Sequence, residues 1–487
     1  MAPRPSKPVT SDVLEARDRL FAEGSTFLPV AREAILGIDG LVSEAERIIR
    51  YLANFQAYAE HGATIEAGTV FHGHPGVGKT LTATWVASES NARFVSLRDW
   101  PLASGATSLR GADIHDIYRR AREVAAAGIP VLLFWDEATQ LVDREAHWEA
   151  ENSKEVTSQL ISELHGHSGQ PLGVYLIATT NSIKGIDAAL LRAGRLRTLE
   201  FPALSGAVSV DLMNLEIAGY RGAAELDLER VGWYVRTVTS AAEISQAVKC
   251  AWTMSVTRAL DDRSQPRLTT ETLIEGLLET VHGCRTGIPN DARVAEHEVS
   301  HFVVALAVGA PAMYLETVGR GKSNGRICLE SSWRKNVADG LADLAITLAP
   351  LTFERLVGQP ESFGNWGDLR QATRCAQRLV HSFTVGTRYA TIQPSELSNL
   401  GAHASRVSDE LIAATEADVE RLHEVALGIA AGVIESIGTD TIQRIAGEIL
   451  ERERLTRPEL LDLLARHDAV IEPVELPAVI DLALLAA

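Results

Sequence analysis

The chain has 487 residues, too many for one ordinary hydrophobic core, which points to about two to four domains. With 46% hydrophobic and 23% charged residues it has the composition of a globular protein, which excludes a largely disordered chain. The 46 Lys and Arg against 64 Asp and Glu leave a formal net charge of -18, a field that repels phosphate backbones and anionic lipid and argues against general nucleic-acid or membrane-surface binding.

Cys250, Cys284, Cys328 and Cys375 lie far apart with no C-x-x-C pair, which suits a reducing compartment rather than a disulfide framework. The opening residues MAPRPSKP lack the apolar stretch of a secretory signal. No window reaches the roughly 18 uninterrupted apolar residues of a membrane span. The expectation is a soluble, cytoplasmic protein.

Residues 1–31 start polar and proline-rich, turn weakly helical, and read as an N-terminal extension. Over residues 32–205 the strand-like runs Thr69–His72, Arg93–Leu97, Pro130–Trp135 and Val174–Thr180 alternate with helical stretches, the pattern of a parallel sheet covered by helices. Residues 206–284 read as helices with short breaks, and Gly283–Asn290 as a linker. Residues 285–487 are mostly helical, with one β-like interruption near Tyr314–Leu329 where Gly319, Gly321 and Gly325 mark turns.

Gly73, His74, Pro75, Gly76, Val77, Gly78, Lys79 and Thr80 fit G-x-x-x-x-G-K-[ST] in full, between a short strand and a helix over Leu81–Glu89. Such a loop turns several N–H groups toward one anion at a helix N-terminus. Lys79 is placed for the β- and γ-phosphates of ATP and the Thr80 hydroxyl for Mg²⁺. The buried-strand run Val131–Trp135 ends in Asp136 and Glu137: Asp136 is assigned to the metal and Glu137 to the attacking water. Asn181, at the end of Val174–Thr180, either polarises that water or senses the γ-phosphate, or is simply a turn residue. Arg192, Arg195 and Arg197 on the following turn are either surface solvation or include a finger for the transferring phosphoryl group.

These segments, GHPGVGKT, LLFWDEA, IATTN and ALLRAGRLR, resemble an AAA+ ATPase, closest to the FtsH-like membrane proteases. The resemblance implies a ring, usually a hexamer, in which the turn's arginine reaches the neighbouring subunit's ATP. Arg195 matches the first finger position. The second is Thr198 here, which leaves one finger or a substitute in Arg197. Ser240–Ile244 resembles the segment that opens the lid helix beside the adenine, with Ala241 in place of glycine. Asp99–Gly105 stands where such rings carry a substrate-gripping loop, and Trp100 is either the gripping aromatic or a packing residue.

His297-Glu298-Val299-Ser300-His301 is H-E-x-x-H, on a helix expected over Asp291–Val308 and capped by Asn290 or Asp291. Positions i and i+4 stack on one face, so His297 and His301 can share one Zn²⁺, with Glu298 beside them as general base for water. Two surface histidines flanking a solvated Glu would give the same pattern. The flanking sequence resembles the FtsH peptidase segment, which implies a third ligand in a D-L-x-x-A-T stretch. Asp368 is that residue here, with the usual adjacent Asn displaced to Asn365 and Glu354 as a fallback ligand. The resemblance runs from about Ile35 to about Gly386, and the last hundred residues match only as helices. FtsH-like proteases carry amino-terminal membrane helices, and none is found in this sequence.

The expected fold is therefore an α/β AAA+ ATPase domain, a parallel sheet with a helical lid, followed by a mainly α-helical zinc metallopeptidase domain. The expected activity is ATP-dependent, zinc-dependent cleavage of polypeptides drawn through a self-associated ring. Alternatives are a remodelling ATPase or chaperone with a vestigial peptidase domain, and a metal-dependent hydrolase of another substrate.

Overall fold

The computed structural model describes residues 10–63, 65–104, 106–138, 150–165, 172–183, 186–287, 291–330, 336–361, 365–382 and 409–477. Gly105 and Asn290, named above, lie outside them. The chain divides into two compact units: Met1–Leu204 with Ser240–Ala242, and Ser205–Thr239 with Glu243–Ala487.

The first unit runs α1 (Ser11–Glu23), α2 (Asp39–Ala53), α3 (Phe55–Glu60), β1 (Gly68–Gly73), α4 (Lys79–Ser90), β2 (Arg93–Ser96), α5 (Gly111–Ala126), β3 (Val131–Trp135), α6 (Ala150–His165), β4 (Val174–Thr180) and β5 (Leu196–Phe201). The strands form one five-stranded sheet in the order β2-β3-β4-β1-β5, with every pair parallel. β3 and β4 are buried along their whole length, as continuous apolar runs in a parallel sheet should be. The period of two along β3 sends Val131, Leu133 and Trp135 into a core shared with Ile114 and Tyr118 of α5 and Leu160 of α6. Leu132 and Phe134 enter the opposite core with Ile48 and Leu52 of α2 and Val86 of α4. β5 was not anticipated from sequence. Its Leu-Arg-Thr-Leu-Glu-Phe alternation suits an edge strand, and its charges read as part of the arginine turn.

The second unit opens with α7 (Gly206–Ile217), α8 (Leu228–Val235), the part of α9 (Ala241–Asp262) from Glu243 onward, and α10 (Thr270–His282). There follow α11 (Ala292–Ala307), β6 (Ala312–Glu316), β7 (Arg326–Leu329), α12 (Val337–Leu356), α13 (Asn365–Ser382), α14 (Asp409–Ile437), α15 (Thr439–Arg452), β8 (Arg454–Thr456) and α16 (Arg457–Arg466). α11 is capped by Asp291, whose side chain accepts from the Arg293 N–H. α12 is buried on every side from Gly340 to Glu354, in keeping with its all-round apolar sequence. It packs with α11, α13, α14 and α15 into one core. β6 is the centre of an antiparallel sheet in the order β7-β6-β8. β8, like β5, was not anticipated from sequence, which read the end of the chain as mostly helical. No single described helix is long and apolar enough to cross a membrane. The pair Ala413–Ile437 and Thr439–Arg452 passes that test only jointly, across an 80° bend, and buries Leu422, Ala426, Ala430 and Ile434 in the core.

Candidate nucleotide site and candidate metal centre

The phosphate-type loop leaves the carboxyl end of β1 and enters α4 at Lys79, the end of a parallel sheet at which ligands bind. Val77 is buried and anchors the loop, while His74, Pro75 and Gly76 are exposed. Glycine is required at Gly73 and Gly76: φ is +143° and +75°, and an added Cβ would lie 2.2 Å from the Phe201 carbonyl oxygen or from Ser240 Oγ. Gly78 caps α4 in the left-handed region. The Ala242 N–H donates to the Gly76 carbonyl at 3.3 Å, so the start of α9, with Ala241, touches the loop itself.

Lys79 Nζ donates to the carbonyls of Gly73 and His74, each at 2.8 Å, and to Asn181 Oδ1 at 3.0 Å. Burial depresses the lysine pKa, and the nearby Asp136 and Glu137 charges oppose that. The Thr80 hydroxyl lies 3.3 Å from Asp136 Oδ1, which brings the two expected Mg²⁺ groups together. Glu137 adopts φ +48°, unusual for a residue other than glycine. Thr179, which sequence reasoning missed, stands against both acids: its hydroxyl donates to Asp136 Oδ1 at 2.6 Å and accepts the Glu137 N–H at 2.9 Å. The signal for it is register, since Trp135 pairs with Ala178 and the next residues on the two strands are Asp136 and Thr179.

In the second unit, His297 and His301 present Nε2 atoms 3.2 Å apart. Asp368 Oδ2, from the first turn of α13, stands 3.1 and 3.7 Å from them. His301 Nδ1 lies 2.6 Å from the Ile346 carbonyl and donates its proton there, which orients the ring so that Nε2 faces His297 and Asp368. Donors about 2.1 Å from a tetrahedral zinc stand roughly 3.4 Å apart, so this set fits the ion. Burial disfavours charge on both partners, yet their pairing prevails: hydrogen bonds from His297 and His301 hold the Asp368 carboxyl far below its usual range, and Asp368 lifts His301.

Glu298 is 6% exposed and burial raises its pKa, which the two histidines oppose. Gly325, noted in the sequence only as a turn, packs directly on it: a Cβ there would stand 2.8 Å from Glu298 Cγ and Oε1. The site opens into a cavity of about 1160 Å³ lined by residues including Val294, Ile327, Thr347 and Trp366. Glu354 is not among the converging ligands. Its carboxylate takes Arg293 at 3.1 Å and Asn365 Nδ2 at 2.6 Å, so the displaced Asn365 ties α12 to the turn bearing Asp368.

Residues 69–203 match the model of the AAA family, ATPase family associated with various cellular activities. The chain is 26% identical over 461 residues to ATP-dependent zinc metalloprotease FtsH 2 of Sphaerobacter thermophilus, covering 91% of this chain and 67% of that protein. It is 27% identical over 473 residues to ATP-dependent zinc metalloprotease FtsH of Mycobacterium tuberculosis, covering 91% and 58%. With FtsH 2 of Conexibacter woesei the identity is 28% over 469 residues, covering 91% and 65%. The chain is thus similar to FtsH-type proteins over 91% of its length, and to the AAA family over residues 69–203. It spans between 58% and 67% of the length of these relatives.

Two alternatives that the FtsH resemblance left open are narrowed by the structure. Trp100 is 4% exposed, edge-on to Phe21, beneath the Arg17 guanidinium and donating from Nε1 to Asp113, so it is a packing residue and not a gripping aromatic. Arg197 lies on β5 and pairs with Glu44 at 2.8 Å and Glu66 at 3.8 Å, which removes it as a spare finger. Arg195 donates to the Ala189 carbonyl at the foot of its turn, and Arg192 is exposed.

Proposed function

We propose that this chain is an ATP-dependent zinc metalloendopeptidase whose AAA+ unit self-associates into a ring, a hexamer by family likeness, and feeds polypeptide to the metal centre. The observation that carries the reading is the convergence of His297 Nε2, His301 Nε2 and Asp368 Oδ2 within 4.8 Å of one another beside the buried Glu298. His297, His301 and Asp368 would hold a zinc ion, which would supply Lewis-acid polarisation of the scissile carbonyl. Glu298 takes the proton from the attacking water on its carboxylate and returns it to the leaving amine nitrogen. Asp368 and the Ile346 carbonyl keep the imidazoles oriented.

In the first unit, Gly73–Thr80 cradles the phosphates of ATP, and Lys79 exchanges its carbonyl partners for phosphate oxygens. Thr80 and Asp136 would hold Mg²⁺, which would neutralise phosphate charge, while Glu137 and Asn181 orient the attacking water. Arg195 acts as the finger on a neighbouring copy's ATP, and Ala241 lies at the adenine end of the lid segment. The four cysteines, far apart in sequence with no C-x-x-C pair, support a cytoplasmic setting.

Purified protein should retain about one zinc per chain and cleave casein in an ATP-stimulated manner. Glu298→Gln should abolish cleavage while ATP hydrolysis continues. Zinc-free protein that still hydrolyses ATP would support instead the remodelling ATPase, which the intact ligand set disfavours.

A further inference from the structure

We propose that Thr179 is a positioning residue for phosphoryl transfer, its one hydroxyl setting both the Asp136 carboxylate and the backbone of Glu137; the inference rests on the ATPase reading of this site. A buried threonine hydroxyl has one proton to give and lone pairs to receive, and both capacities must be filled. At Thr179, 2% exposed, the proton goes to Asp136 Oδ1 at 2.6 Å and a lone pair receives the Glu137 N–H at 2.9 Å.

The backbone of the same residue adds a third tie, its carbonyl accepting from the Ala138 N–H at 2.8 Å. Three consecutive residues after β3 are thus held from one position on β4. They need holding, because Glu137 departs from extended backbone into the left-handed region at φ +48°. The adjacent hydroxyl shows what an ordinary strand-end threonine does: Thr180 Oγ1 exchanges hydrogen bonds only with the Ser182 backbone, at 3.0 and 3.2 Å, and closes its own turn.

The arrangement is mechanistically specific. Asp136 Oδ1 is shared between Thr179 and the Thr80 hydroxyl, the latter at 3.3 Å. Thr80 and Asp136 are the groups assigned to Mg²⁺, so Thr80 must turn to the ion when it binds. The Thr179 bond then remains to keep the carboxylate aimed. Without it the carboxylate rotates freely about its last torsion and the Glu137 N–H loses its acceptor, so both the metal affinity and the water-orienting acid suffer while the phosphate cradle is untouched.

The test compares Thr179→Val, which keeps the shape and removes the hydroxyl, with Thr179→Ser, which keeps the hydroxyl. Three quantities are read on the full chain: the Mg²⁺ concentration for half-maximal ATPase, kcat, and affinity for a fluorescent ATP analogue in EDTA. For a hydrogen bond to a charged group, the valine variant should need about tenfold more Mg²⁺ and lose about tenfold to a hundredfold in kcat. Its Mg²⁺-free nucleotide affinity should equal the parent's, and the serine variant should lie within about threefold of the parent in all three.

A valine variant with parental Mg²⁺ dependence and kcat overturns the inference, as does a serine variant as impaired as valine, which would make the role one of packing. If valine fails to fold, Thr179→Ala is read by the same criteria, and failure of both to fold marks a structural role and overturns it. A parent chain that binds no nucleotide overturns the ATPase reading itself, whereas a parent that hydrolyses ATP beside an unimpaired valine variant overturns this inference alone.

Discussion

An alanine at Gly325 would place its Cβ 2.8 Å from Cγ and Oε1 of Glu298 and 2.8 Å from Val294 Cγ1. The carboxylate proposed as general base is buried among packed neighbours, so the added methyl would displace it. Gly325→Ala is expected to lower peptide cleavage about a hundredfold, the scale of an ångström's misplacement, with ATP hydrolysis unchanged. Overpacking should cost about 1–3 kcal/mol in the denaturant midpoint of the second unit. Assay of both activities on one preparation checks this, and parental cleavage would show that the contact relaxes without consequence. The candidate residues His297, His301 and Gly73–Thr80 were legible in sequence because they stand in local spacings of four to eight residues, whereas Asp368 was reached only through the family resemblance. Thr179 and the Ile346 carbonyl were not legible. One becomes relevant only through strand register, and the other is a backbone atom that no residue type announces.

At the scale of elements, α1 does more than precede the sheet. Arg17, 4% exposed, donates to Asp113 at 2.6 Å, Asp116 at 3.2 Å and the Pro101 carbonyl at 3.0 Å, with its guanidinium 4.3 Å from the Trp100 ring centroid. Phe21 joins the same core, and Ser25 continues the contact by donating its N–H to the Phe94 carbonyl on edge strand β2. Arg17→Ala leaves Asp113 buried without its cation and should destabilise the first unit by about 3–5 kcal/mol, measured by urea unfolding. A loss below about 1 kcal/mol, the range of exposed pairs, would show that solvent replaces the guanidinium. The sequence reading of this stretch as a weakly helical extension failed to anticipate that docking because α1 is a mostly polar helix with few core residues. The central strands β3 and β4 were legible for the opposite reason, being unbroken apolar runs. β5 and β8 were not, because short edge strands carrying charge look like loops until their partners are known.

Within the second unit, Glu275 of α10 sits among Arg285 at 3.0 Å, Arg320 at 2.7 Å and Arg454 at 3.2 Å. Arg320 in turn meets the fully buried Glu316, which also binds Arg326 at 2.6 Å. Burial would raise the Glu275 carboxyl, but hydrogen bonds from Arg285 and Arg320 outweigh it and hold the group at about 2. A carboxylate depressed in the folded state contributes stability above its unfolded value near 4.5, and that contribution is lost as pH falls toward 2. The second unit should therefore lose on the order of 1–3 kcal/mol between pH 4.5 and 2 through this group, after discounting for its partial exposure. Glu275→Gln should flatten that part of the pH–stability curve, and an unchanged slope would assign the acid sensitivity elsewhere.

For the molecule as a whole, each unit holds the residues of one candidate chemistry. Stripping transition metal with 1,10-phenanthroline is expected to end peptide cleavage but leave Mg²⁺-dependent ATP hydrolysis, and Lys79→Ala the reverse for small unfolded peptides. Both assays on one preparation decide whether the two chemistries separate in this way. The strand β8 has a further meaning for how such a protein is made. It pairs with β6 from about 140 residues downstream, and β7 on the other side of β6 leads directly from Gly325 against Glu298. During synthesis the sheet beside Glu298 stays unfinished until residues 454–456 have emerged from the ribosome. Under the proposed function, a nascent chain is thereby spared a working blade before its own folding is nearly done.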